Sequence, residues 1–387
     1  MAKVFIEEST LTKIGNAIRS KTGKTELIDP SVMDVEITSI TTGGGGIPEE
    51  ALTFTGDCSN KFLNGAWDWY IDVLGPQLKT KDVTTTSSMF KASNIEEVPF
   101  EINFDPNAEY HNIDSMFANA TNLEVVPRLN GCKVNDMSEM FNGCHNLREV
   151  PDWFVNQIDW SYVEAMNSYT EGGHADKLFR YCCSLRKYPL EIVKHANKKC
   201  SYLYCYFYNM AANCYSLDDL NNIPLSGFVA TWNSNAFNNS VGHCSRLSGF
   251  TFELQPDGTP YVMSWKSQTI DFTTYTGYAQ LGDFITSYNS GITYHKKVTD
   301  DASYQALKND PDWYTDNVAY SRYNHDSAVA TINSLPDTSA YIASSGGTNT
   351  IKFKGAAGSA TDGGAIQNLT AEEIAVATAK GWTVTLS

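Results

Sequence analysis

Nine cysteines, seven histidines and 44 Asp and Glu residues are the side chains of this 387-residue chain with the means for chemistry. Cys144-His145 and His243-Cys244 have the residue types of a thiol nucleophile and its base. Neighbours on one strand or helix point apart, however, and no third orienting group accompanies either pair. Cys182, Cys183, Cys200, Cys205, Cys214 and His174 are candidate metal ligands, but their spacing makes no pair of Cys-x2–4-Cys elements. Carboxylates this numerous pair by chance, so a two-carboxylate glycosidase is an alternative that no motif favours. No G-x-S-x-G, H-E-x-x-H or phosphate-loop motif occurs. The run Gly43-Gly44-Gly45-Gly46 is not followed by Lys-Ser/Thr, and reads as a hinge. The expectation is a non-enzyme with no cofactor and no metal.

Composition narrows the partners. Only 19% of residues are charged against 42% apolar, and the net charge is −16. Nucleic acid needs clustered Lys and Arg, and the longest basic stretches are Lys198-Lys199 and Lys296-Lys297. Anionic membrane surfaces are disfavoured for the same reason. No apolar run reaches membrane-spanning length, so membrane insertion is not expected. The first twenty residues lack the apolar core of a signal peptide, which predicts synthesis in the cytoplasm and use without secretion. An odd cysteine number in a long chain argues against a disulfide framework.

The positioning elements begin with two short helices. Leu11, Ile14 and Ile18 share one face of the first; Gly23 is placed to end it. Asp29 and Pro30 start the second, with Met33, Ile37 and Ile40 on one face. Helices this short must dock on something. The segment STLTKIGNAIRSKTG…DPSVMDVEITSI, followed by the glycine tract, resembles the N-terminal segment of phage tail-fibre, baseplate and other virion proteins. The resemblance implies that residues 1–42 attach the chain to a virion, with 43–48 as linker.

The middle of the chain repeats. Residues 88–99 read SMFKASNIEEVP, 115–127 SMFANATNLEVVP, 139–151 EMFNGCHNLREVP and 177–189 KLFRYCCSLRKYP, with looser copies at 209–224 and 235–250. The phenylalanines Phe90, Phe117, Phe141 and Phe179 lie 27, 24 and 38 apart, so the last interval carries an insertion. Each unit offers a Met-Phe or Leu-Phe pair on a helical turn, then Leu123, Leu147 or Leu185, then a short strand ending at proline. Stacked units share a core that one unit cannot close alone. Cys144, Cys182, Cys214 and Cys244 fall at one repeat position and predict a buried ladder of small side chains. The pattern is similar to BspA-type leucine-rich repeats of bacterial and phage surface proteins.

Within SYLYCYFY, Tyr202, Tyr204, Tyr206 and Tyr208 alternate with Leu203, Cys205 and Phe207. The row is either a ligand surface or is covered by the insertion or a second subunit. Trp67, Trp69, Tyr70, Trp153 and Trp160 read as core or capping residues. Towards the end, Asp326 caps a helix to Ser334, Thr370 and Glu373 make a capping box, and Trp382, Val384 and Leu386 share a final strand.

The combined expectation is an α/β protein: a leucine-rich-repeat solenoid over 49–285, with a small N-terminal helical attachment segment and a C-terminal α/β cap over 286–387. The resemblances imply a tail-tip, baseplate or fibre protein of the phage particle, contacting other virion proteins, homo-oligomeric, and presenting its repeats to a host-surface glycan or protein. A bacterial surface adhesin, a head-decoration protein and a tail-associated depolymerase remain open alternatives.

Overall fold

The computed structural model describes residues 49–65, 68–165, 175–195, 209–214, 217–228, 237, 240–242, 244, 247–273, 323, 325–353 and 369–386. The attachment segment with Leu11, Ile14, Ile18, Met33, Ile37 and Ile40, the linker, the Tyr202–Tyr208 row, His174, Cys200, Cys205 and His243 lie outside the described residues. So do Trp67 and the side chains of Trp69 and Tyr70.

The described chain is mixed α/β, with short parallel strands, few helices and no closed barrel. α1 (Glu49–Leu52) leads into β1 (Thr53–Asp57), and α2 (Asp68–Leu74) precedes β2 (Lys79–Thr85). β3 (Ile102–Asn103), β4 (His111–Asn112), β5 (Leu129–Asn130) and β6 (Val134–Asp136) follow. β1-β2-β4-β6 form one parallel sheet and β3-β5 another. Each strand of the larger sheet ends where a short polar side chain captures the backbone two residues on. Asp57, Thr85, Asn112 and Asp136 accept from the N–H groups of Ser59, Ser87, Asp114 and Ser138.

Next comes the phenylalanine turn, and here the structure departs from the expected helical turn. Residues two before and two after the phenylalanine have positive φ: Asn60 and Asn64, Ser88 and Ala92, Ser115 and Asn119, Glu139 and Gly143, Lys177 and Tyr181. Asn209 and Asn213 flank Ala211 in the same way. A helix would satisfy its N–H groups within the unit. The left-handed residues instead aim alternate N–H groups at the next unit: Phe62 donates to Met89, Phe90 to Met116, Phe117 to Met140 and Phe141 to Leu178, at 2.7–3.1 Å. At Gly143 an added Cβ would also lie 2.5 Å from Asn119 Oδ1, so the Asn119 side chain would have to move.

Side chains follow the backbone into register. The rings of Phe62, Phe90, Phe117, Phe141 and Phe179 are successively stacked at 4.9, 5.2, 5.8 and 5.5 Å, with planes within 6°. Ile95, Leu123, Leu147, Leu185, Leu217 and Leu247 are buried beside them. In the last copy Ala211 N–H bonds Ser240 O and Asn213 N–H bonds Gly242 O, so Val241 holds the phenylalanine position. Phe237 packs against Phe252 and Trp265 instead.

On the opposite arm the donor direction reverses. Glu124 N–H bonds Glu96 O, Ser184 bonds His145, Arg186 bonds Arg148, Asp218 bonds Arg186 and Ser248 bonds Asp218. The strand expected to end at proline is reduced to these isolated rungs. Pro99 and Pro127 have no N–H to donate, and β3 and β5 form only beyond them. Three short helices, α3 (Asp152–Asn156), α4 (Ser161–Ala165) and α5 (Glu191–Lys194), lie in the longer units.

β7 (Leu220–Ile223) pairs with β8 (Phe250–Phe252), and β9 (Thr269–Asp271) begins a sheet of order β11-β10-β9. That sheet spans the expected boundary at 285/286, because β10 (Asn349–Phe353) and β11 (Trp382–Leu386) lie beyond it. α6 (His325–Ser334) packs on β8, where Ser334 Oγ accepts from Phe252 N–H at 3.0 Å and Thr331 Oγ1 bonds Phe250 O. α7 (Ser339–Ser345) precedes β10, and α8 (Ala371–Ala379) starts at the Thr370–Glu373 capping box.

Candidate functional site

Each phenylalanine turn sorts its side chains into inward and outward columns. The inward column three residues past the phenylalanine reads Gly65, Ser93, Ala120, Cys144, Cys182, Cys214 and Cys244. Its thiols are oriented, not merely enclosed. Cys144 Sγ donates to Phe117 O at 3.2 Å, Cys182 to Phe141 O at 3.0 Å, Cys214 to Phe179 O at 2.9 Å and Cys244 to Ala211 O at 3.0 Å. Every one of these carbonyls also accepts an N–H of its own unit: Phe117 O from Ala120, Phe141 O from Cys144, Phe179 O from Cys182 and Ala211 O from Cys214. Burial pushes the Cys144, Cys182 and Cys214 thiols far above their ordinary range and Cys244 up to about 12. They are neutral hydrogen-bond donors, a state unsuited to nucleophilic attack or metal ligation.

His145, next to Cys144 in sequence, is pulled down to about 4 by desolvation, and its buried Nδ1 has no partner. His111 is buried and satisfied on both nitrogens: Nδ1 accepts from Lys133 N–H at 2.9 Å and Nε2 lies 3.1 Å from Asp105 O. With Nδ1 accepting, the proton is assigned to Nε2. Burial holds the ring neutral, below its ordinary range. Among the described residues, no three His, Cys, Asp or Glu side chains come together as a metal site.

The outward columns carry the accessible chemistry. Ser59, Ser87, Asp114, Ser138 and Asp176 occupy one position of successive turns, each partly exposed. The backbone ladder holds them on adjacent rungs, about 4.8 Å apart for paired strands. One position further, Glu139 and Lys177 face each other at 2.8 Å. The pair holds Glu139 below and Lys177 above their ordinary ranges, with burial opposing both shifts. Asn142 Nδ2 joins at 3.2 Å from Glu139 Oε2. The result is a mixed polar face with its side chains at fixed intervals.

Aromatic groups cluster where the units lengthen. The Arg128 guanidinium lies 3.7 Å over the Trp153 ring, and Tyr110 sits 4.7 Å from Tyr162. His195 stacks on Trp160 at 4.9 Å and meets Glu164 at 2.9 Å. Trp160 is buried, with its Nε1 donating to Val155 O; Trp153 is partly buried. Tyr110, Tyr162 and Arg128 were not singled out from sequence because they fall outside the repeated positions. Their one available signal is adjacency, Arg128 following Pro127 and Tyr110 preceding β4.

The chain matches no family model, no curated protein and no solved structure.

Proposed function

We propose that this chain is a leucine-rich-repeat solenoid of the phage virion, of tail-tip, baseplate or fibre type, that binds through its surface and does no covalent chemistry. Residues 1–42 dock on a neighbouring virion protein; the repeat body presents its outward columns, and the Tyr202–Tyr208 row, to a host-surface glycan or protein. Several copies cluster, so that weak single contacts add through multivalency. The virion assignment rests on the resemblance of the first 42 residues.

One observation carries the binding reading. The unit-to-unit ladder that stacks Phe90, Phe117, Phe141 and Phe179 also fixes the spacing of the side chains on the other face. A surface preorganised in this way loses little side-chain entropy on binding. Among the described residues, Cys144, Cys182, Cys214 and Cys244 point the opposite way and burial keeps them protonated.

The test is incorporation and binding. A chain lacking residues 1–42 is expected to keep a cooperative thermal unfolding transition and to be missing from purified particles; normal incorporation overturns the attachment role. Full-length protein is expected to bind host cells, and Tyr204→Ala with Tyr206→Ala to weaken that binding. Release of oligosaccharides from host envelope material would replace this reading with the depolymerase.

A further inference from the structure

Three Asn-Gly pairs occur in the sequence, Asn64-Gly65, Asn130-Gly131 and Asn142-Gly143. In such a pair the glycine nitrogen can attack the asparagine amide, because no Cβ obstructs the approach. The nitrogen must first lose its proton, and an N–H already bonded to a carbonyl resists that. Gly65 N–H donates to Phe62 O at 3.3 Å, and Gly143 N–H donates to Arg180 O at 2.8 Å. The Asn142 amide is also held, with Nδ2 donating to Glu139 Oε2 at 3.2 Å and Oδ1 buried. Gly131 differs. It has no backbone hydrogen bond of this kind, it is exposed at the end of β5, and only Phe104 O comes within 4 Å of where a Cβ would be.

We propose that Asn130 is a site of spontaneous deamidation that alters one tie between successive units. Base removes the Gly131 N–H proton, the nitrogen bonds to Asn130 Cγ, and the Cγ–Nδ2 bond breaks with release of ammonia. Water then opens the cyclic imide at either carbonyl, giving aspartate or its β-linked isomer. The tie is specific: Asn130 Nδ2 donates to Asn103 Oδ1 at 2.9 Å, and Phe104 N–H donates to Asn130 O at 2.9 Å. The product carboxylate cannot donate, so it faces Asn103 Oδ1 acceptor to acceptor. The isomer also lengthens the backbone between β5 and Gly131.

The experiment is a time course of the folded full-length chain at mildly alkaline pH, read by peptide mass mapping and detection of β-linked aspartate. Asn130 is expected to convert roughly tenfold faster than Asn64 or Asn142, the factor that one net amide hydrogen bond is worth. Asn130→Gln should abolish the β-linked signal, since its ring closure is much slower. Faster conversion at Asn64 or Asn142, a signal that survives Asn130→Gln, or an unmodified Asn130 after the matching free peptide has converted, overturns the assignment.

Discussion

The Cys182 thiol donates to the carbonyl oxygen of Phe141, one unit back, at 3.0 Å. Its N–H meanwhile closes its own turn on Phe179 O at 3.1 Å. One residue therefore ties its turn internally and to its neighbour. Cys182→Ala removes the second tie and leaves a small void, but Ala120 already occupies the equivalent position. The expected loss is about 1–2 kcal/mol, read from urea unfolding. Native protein should react with thiol reagents at Cys182 only on unfolding; rapid native labelling would contradict its enclosure.

Phe117 stacks on Phe90 and on Phe141, at 5.2 and 5.8 Å. Phe117→Ala is expected to cost about 3–5 kcal/mol, more than any surface substitution. A change below about 1 kcal/mol would mean that the stack is not a principal source of stability.

Ala92 is held at φ 56° at a position where its counterparts include Asn119 and Gly143. An alanine in that region carries about 1–2 kcal/mol of strain, of which part is returned when glycine raises the unfolded-state entropy. Ala92→Gly should stabilise by about 0.5–1 kcal/mol and Ala92→Val should destabilise. If both substitutions destabilise, the left-handed turn is not what governs this position.

Acid sensitivity follows from His145. Folded, its ring stays neutral down to about pH 4; unfolded, it protonates below its ordinary 6.5. The unfolded state therefore binds more protons between those values, so the contribution is present above 6.5 and is lost as pH falls to about 4. The loss amounts to roughly 3 kcal/mol. His111, lowered by burial, acts in the same direction. Carboxylates also titrate near the bottom of this range, so the measure is a difference: stability against pH should be flatter for His145→Asn than for the natural chain.

Asn349 is wholly buried at the start of β10. Its Nδ2 donates to Trp265 O and Thr338 Oγ1, and its Oδ1 accepts from Gln268 N–H, all at 3.0 Å. Asn349→Leu strands two backbone groups and should cost about 2–4 kcal/mol, seen as a lowered thermal midpoint. Retained stability would mean that water replaces the amide.

The sequence alone showed a periodicity and, near the C-terminus, the helix begun by Thr370 and Glu373 and the strand of Trp382, Val384 and Leu386, but not α7 or the start of α6 one residue before Asp326. Apolar side chains recur at set intervals because each unit must bury the same positions, and Thr370 and Glu373 mark a helix start through purely local bonds. The turn conformation was not legible. Ser88, Glu139 and Tyr181 give no local cue for positive φ, and their N–H groups are held by carbonyls of a neighbouring unit, 26 to 37 residues away along the chain. The same holds for Val241 standing in for phenylalanine and for thiols bonded to Phe117, Phe141 and Phe179. Residue type decides what can be buried; only the stacked backbone decides which carbonyl each group meets, because that partner belongs to another turn.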